Sequence, residues 1–131
     1  MATGVPKFRE VAWRACAMQT ARFYYMLETG RLVSEPLASE MKEILSKPAI
    51  QHKFVKGLAE ARPGAKIYRK SGSWRSWHAD SAIIESGAHK FIVVALAEHP
   101  DGGKWMQKLI VPLHDLIVPD KLAANDLQPF Q

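Results

Sequence analysis

Apolar positions change their period along this chain. Over residues 10–30, Ala12, Ala15/Cys16, Gln19, Phe23 and Met26/Leu27 recur at three-to-four spacing, which predicts one face of a helix. Gly30 stands where a C-cap belongs. Ser34 followed by Pro36 reads as the start of a second helix over 35–46, with Leu37, Met41 and Ile44/Leu45 to one side and Pro48 as its stop. Phe54, Val55 and Leu58 predict a third, short helix within 49–60, closed by the turn Arg62-Pro63-Gly64. Residues 1–9 read as loop.

From residue 65 the period shortens. Segments 65–70 and 78–85 read as strands, Ala79 and Ile83 alternating with polar neighbours, and Ser86-Gly87 turns the chain. The run H-K-F-I-V-V-A-L-A at 89–97 is apolar in both phases, which predicts a central strand covered on both faces. Asp101-Gly102-Gly103 reads as a turn. Trp105, Leu109 and Leu113/Leu116 predict a last helix over 104–117, kinked or divided at Pro112, before a surface tail. The order is helical over 10–60, sheet over 65–97 and helix over 104–117. Short turns between consecutive strands make the sheet an antiparallel meander, so the expected class is α+β. Three strands that need cover on both faces look like a portion of a larger domain.

Composition narrows the function only a little. The 131 residues fit one domain or part of one, and 47% hydrophobic content supports a core. Eighteen Lys and Arg against thirteen Asp and Glu give +5, but the bases are scattered, so no nucleic-acid partner is expected. Cys16, the one cysteine, excludes an internal disulfide and is expected as a small buried hydrophobe. Five dispersed histidines suggest no metal site, and no cofactor is expected. No apolar run is long enough for a membrane span, and M-A-T-G-V-P-K-F-R-E has no signal-peptide core; localisation stays open.

The candidate chemistry lies in Lys70-Ser71-Gly72, expected at or just past a strand end. Lys70 would supply charge to a substrate carboxylate and tune a hydroxyl. Ser71 would donate to the same carboxylate, Gly72 would admit a ligand close to the backbone, and Ser73 would point a backbone N–H at a developing oxyanion. Trp74 and Trp77, whose rings call for burial, either wall a pocket or pin the turn. Arg75 between them would bind an anion or stack on a ring. His78 and Asp80 share a strand face and read as structural, Asp80 bonding to His78, Arg75 or a turn N–H. The competing account of the whole motif is an exposed turn without function.

Two stretches carry a family resemblance. They are A-R-F-Y-Y-M-L-E-T-G-R-L-V-S-E at 21–35 and R-K-S-G-S-W-R-S-W-H-A-D-S-A-I-I-E, continuing to K-F-I-V-V-A-L, at 69–96. Together they resemble the C-terminal half of a class A β-lactamase-like serine hydrolase. The resemblance implies acyl transfer: a serine of a Ser-x-x-Lys element attacks an amide or ester carbonyl, and a Lys-Thr/Ser-Gly strand closes the pocket. Lys70, Ser71 and Gly72 match that strand's motif, and Ser73 the position whose N–H completes the oxyanion hole. The chain has no Ser-Asp-Asn. The expectation is that the nucleophile segment also lies outside it, so that the chain alone is inactive. Glu28, Glu35 and Glu40 are not assigned as a deacylating base. The implied partners are a small substrate bearing a carboxylate, and either a missing N-terminal segment or a second copy at the open sheet edge. A non-catalytic interaction module on the same fold is the alternative.

Overall fold

The computed structural model describes residues 16–119. The loop expected over 1–9, the first turns of the helix expected from residue 10 and the tail from residue 120 lie outside the described residues. Seven elements follow in order: α1 (Ala17–Glu28), α2 (Glu35–Leu45), α3 (Lys53–Ala61), β1 (Lys66–Trp74), β2 (Trp77–Ser86), β3 (His89–Glu98) and α4 (Gly102–Ile117). The fold is α+β, with the expected three-stranded antiparallel meander between helices.

Local chemistry ends α1 as anticipated. Gly30 takes φ +71, Gly30 N–H donates to the Leu27 carbonyl and Arg31 N–H to the Met26 carbonyl. That bond pair is a Schellman cap, which needs a left-handed residue at this point. The buried face keeps Leu27 of the predicted stripe and departs from it elsewhere. Tyr24 and Leu27 are buried, whereas Gln19 and Phe23 are exposed. Its orientation is set by a long-range bond, Tyr24 Oη to Ser81 Oγ at 2.8 Å. Cys16 is exposed, not buried: it is the N-cap residue of α1, and its N–H donates to Gln19 Oε1. In α2 no residue is buried; Leu37 and Ile44 face solvent while Met41 and Leu45 are half-buried.

The sheet order β1-β2-β3 corrects the sequence reading of its centre. β2 is the central strand, buried from Asp80 to Ile84, and the apolar run of β3 is an edge. β3 is apolar in both phases because α1 packs on one face and α4 on the other, yet with one neighbouring strand it is only half-buried. Phe54 and Leu58 of α3, Met106 and Ile110 of α4, and Ala82 and Ile84 of β2 form the main core on one face. Each large side chain there contributes about 1.5–3 kcal/mol by leaving water. Gly57 lets α3 approach α4, since a Cβ there would lie 2.3 Å from the Gln107 carbonyl oxygen. Asp101-Gly102-Gly103 is a helix start and not a separate turn: Asp101 is the N-cap residue of α4, which runs through Pro112.

Candidate active site at the β1–β2 hairpin

β1 is longer than predicted. It runs through Lys70-Ser71-Gly72 to Trp74, so the motif lies inside a strand and the turn is Arg75-Ser76. Trp74 faces Trp77 across that two-residue turn, and the next pairs are Ser73–His78, Gly72–Ala79, Ser71–Asp80 and Lys70–Ser81. In an antiparallel ladder the pair that flanks a two-residue turn exchanges hydrogen bonds, and alternate pairs do not. Ser73 therefore belongs to a non-bonded pair. Because β1 is an edge, its N–H points outward from the sheet.

Strand alternation separates the two residues predicted to be catalytic. Ser71 and Ser73 share the phase of Asp80, which faces α3; Lys70 shares the phase of Ser81, which faces Tyr24 of α1. Lys70 is exposed, and its Nζ donates to the Ser71 carbonyl at 2.6 Å. Its own carbonyl accepts from Ser81 Oγ at 2.9 Å. A Lys70–Ser71 side-chain pair acting on one carboxylate is thus not assembled.

A cavity of about 420 Å³ opens at the hairpin end. Gly72, Ser73 and Trp74 of β1 line it with Trp77, His78, Ala79, Asp80 and Ser81 of β2. Val94 and Leu96 of β3 and Thr20 of α1 complete the wall. Lys70 and Ser71 are not among the lining residues. Trp74 and Trp77 are 46% and 47% exposed, so the rings expected to be buried are half open to solvent as cavity walls. Arg75 stacks beside Trp74, its Cζ 5.6 Å from the ring centroid.

His78 and Asp80 do not form a relay. Asp80 Oδ1 accepts from Arg69 Nε at 2.8 Å and from Ser81 N–H at 3.1 Å, and Oδ2 accepts from Phe54 N–H at 3.0 Å. None of the three partners expected for it is used. His78 Nδ1 is buried without a hydrogen-bond partner among the described residues. Its ring packs against the start of α4, where a Cβ on Gly102 would meet His78 Cδ2 at 3.0 Å.

Sequence reasoning missed two buried cations behind the motif. Arg69 donates to Asp80 and to the carbonyls of Ile50 and His52, tying the α2–α3 connection to the sheet. Lys53, 3% exposed, spans the hairpin: its Nζ donates to the Gly72 carbonyl at 2.8 Å, to Ser73 Oγ at 2.9 Å and to the Ala79 carbonyl at 3.1 Å. Burial holds the Lys53 ammonium below the ordinary lysine range; Asp80 opposes this and the charges of Arg69 and Lys70 add to it. Lys53 and Arg75 are also the two non-glycine residues with positive φ among those described, at +54 and +53.

One stretch bears on the expectation that the nucleophile segment lies outside the chain. The chain does contain a Ser-x-x-Lys, Ser39-Glu40-Met41-Lys42, within α2. Lys42 Nζ lies 2.9 Å from Glu28 Oε2 and 3.2 Å from Glu85 Oε1, and 4.4 Å from the centre of the Tyr68 ring. Burial disfavours its charge, but the bonds to Glu28 and Glu85 outweigh burial and raise its pKa. A lysine held as a cation is the opposite of the neutral amine that a general base requires. Glu28 is likewise committed, to Lys42 and Lys90. Among the described residues no three His, Cys, Asp or Glu side chains group as a metal site, and no helix is long and apolar enough to cross a membrane.

Comparison with known proteins agrees with this frame. The β-lactamase from Sphaerobacter thermophilus DSM 20745 superposes with a TM-score of 0.65 at 19% identity, over 76% of this chain and 39% of that one. PBP-A superposes with a TM-score of 0.61 at 15% identity, over 75% of this chain and 39% of its own. A PBP-A mutant in an acyl-enzyme complex with penicillin G gives the same values. At these identities the likeness is one of fold, and the chain spans about two-fifths of the length of these structures. No curated protein matches. The family described as "Beta-lactamase enzyme family" matches residues 3–118, which takes in every described element. By that match, over most of its length, the chain belongs to the β-lactamase enzyme family.

Proposed function

We propose that the outer edge of β1 is one wall of an acyl-transfer site of the serine hydrolase type, acting on a β-lactam or a related amide or ester. The observation that carries this reading is the outward Ser73 N–H beside a cavity lined by two tryptophans. A backbone donor on rigid strand, next to an apolar wall, suits a carbonyl oxygen that becomes negative in the transition state. Gly72 leaves the approach open, and Lys70 and Arg75 add positive charge for a substrate carboxylate. Backbone strain at Lys53 and Arg75 falls at this end of the sheet, as strain at working sites commonly does.

The attacking serine comes from outside these residues, because the one Ser-x-x-Lys present has its lysine locked between two carboxylates. Supply by a preceding segment or by a partner chain gives the same chemistry. The serine oxygen adds to the carbonyl, its proton passes to a base, and the leaving amine or alcohol takes a proton as the acyl-enzyme forms.

NMR of the labelled chain titrated with benzylpenicillin tests the wall directly. Resonances of Gly72 to Trp77, Val94 and Leu96 are expected to move, with no acyl adduct by mass spectrometry. Unmoved resonances at millimolar ligand, or an adduct on Ser39, would overturn the reading.

A further inference from the structure

We infer that Lys53 is a positioning residue that aims and polarises the Ser73 backbone N–H through the peptide unit between Gly72 and Ser73. The inference rests on the reading of that N–H as the donor to substrate. The carbonyl oxygen of Gly72 and the N–H of Ser73 are opposite ends of one planar amide. Whatever holds the oxygen also sets where the hydrogen points.

That oxygen faces the Ala79 N–H in the bonded Gly72–Ala79 pair, and Lys53 Nζ adds a second, charged donor to it at 2.8 Å, while also donating to Ser73 Oγ at 2.9 Å and, across the ladder, to the Ala79 carbonyl at 3.1 Å. Three acceptors use all three ammonium protons. The contacts straddle both strands one and two pairs back from the Trp74–Trp77 closure, so they oppose fraying where an edge hairpin frays first. A cation on the amide oxygen also draws charge from the nitrogen, and chained hydrogen bonds strengthen one another in a low dielectric. The side chain reaches there from a left-handed residue at the head of α3, φ +54, where lysine is disfavoured. Gly103 of α4 closes the other side; a Cβ on it would lie 3.7 Å from Lys53 Cε.

The charged and titratable groups around this ammonium are Asp80 and His78 on β2, Arg69 and Lys70 on β1, and His52 just before α3. Of these, Asp80 favours the charged lysine, and Arg69 and Lys70 disfavour it. Deprotonation of Lys53 would leave two donors for three acceptors and remove the charge from the Gly72 oxygen.

The test uses the full chain without substrate. The Ser73 amide proton is followed against pH by NMR together with Lys53 Cε. The expected result is an upfield shift of the Ser73 N–H in step with Lys53 deprotonation, larger than at Lys70 or Ala82. At neutral pH, Lys53→Met is expected to reproduce the shift and Lys53→Arg to restore the wild-type position. A Ser73 amide that stays flat while Lys53 titrates, or that moves no more than Lys70 and Ala82, would overturn the inference. So would Met and Arg variants that both match wild type. The wild-type titration stands if Lys53→Met does not fold. Failure of benzylpenicillin to bind would sink the proposed function and leave these readouts untouched.

Discussion

Arg69 and Asp80 meet at 2.8 Å with side chains 2% and 0% exposed, on neighbouring strands and at the junction of the sheet with α3. Such a pair is costly to bury and costlier to break, because either partner left alone is an unpaired charge in a low dielectric. Asp80 also caps the first turn of α3 through Phe54 N–H.

Asp80→Ala is therefore expected to destabilise the chain by about 3–5 kcal/mol. Replacing both members, Arg69→Met with Asp80→Leu, should cost clearly less, because no buried charge is stranded. Urea denaturation of the single and double variants gives the comparison. A double variant as unstable as Asp80→Ala would show that the Phe54 bond, and not the charge pair, dominates.

Tyr24→Phe removes a hydroxyl that bonds Ser81 Oγ at 2.8 Å and the Ser81 carbonyl at 3.1 Å. A loss of about 1–2 kcal/mol is expected from the unsatisfied buried groups. Burial, the largest influence, raises the Tyr24 phenol above its ordinary 10.0. A raised folded value means that the contribution is complete below that pH and is lost as pH climbs through the folded value. The wild type should thus lose stability in that alkaline window more steeply than Tyr24→Phe, as read from denaturation midpoints between neutral and alkaline pH.

Gly57→Ala tests the closeness of α3 to α4. Helix propensity alone would favour alanine by roughly 1 kcal/mol. The new Cβ would lie 2.3 Å from the Gln107 carbonyl oxygen and 2.6 Å from Ile110 Cγ2, so backbone must move. Net destabilisation of about 1–3 kcal/mol is expected, on the scale of core overpacking. A thermal midpoint at or above that of wild type would mean that the two helices separate without loss.

The element order was legible because it is written in local period. The Gly30 cap, the four helical stretches, the turns at 62–64 and 86–87 and the β-branched run at 89–97 all depend on near neighbours. The order of burial was not. β3 has the more apolar sequence, but β2 is the centre because it alone has two strand neighbours. A signal for the Arg69–Asp80 pair was present in the alternation. Arg69 stands in phase with Ile67, and Asp80 in phase with Ala82 and Ile84, so each strand carries a charge on its core-facing side. Tyr24 and Lys53 had no such signal. Their partners lie 57 and 19 or more residues away, and only the assembled sheet brings them together. The motif itself was found by composition, but its two first residues point apart because they are consecutive in a strand that was expected to have ended.

The left-handed backbone at Lys53 has one more consequence. Glycine would adopt φ +54 without strain, while lysine there gives up about 1–2 kcal/mol of backbone comfort. Lys53→Gly would relieve that strain but also remove the cation from the Gly72 and Ala79 carbonyls and Ser73 Oγ. The two effects oppose each other, whereas Lys53→Met loses the cation and keeps the left-handed strain. Lys53→Gly is therefore expected to cost less stability than Lys53→Met, as read from urea denaturation.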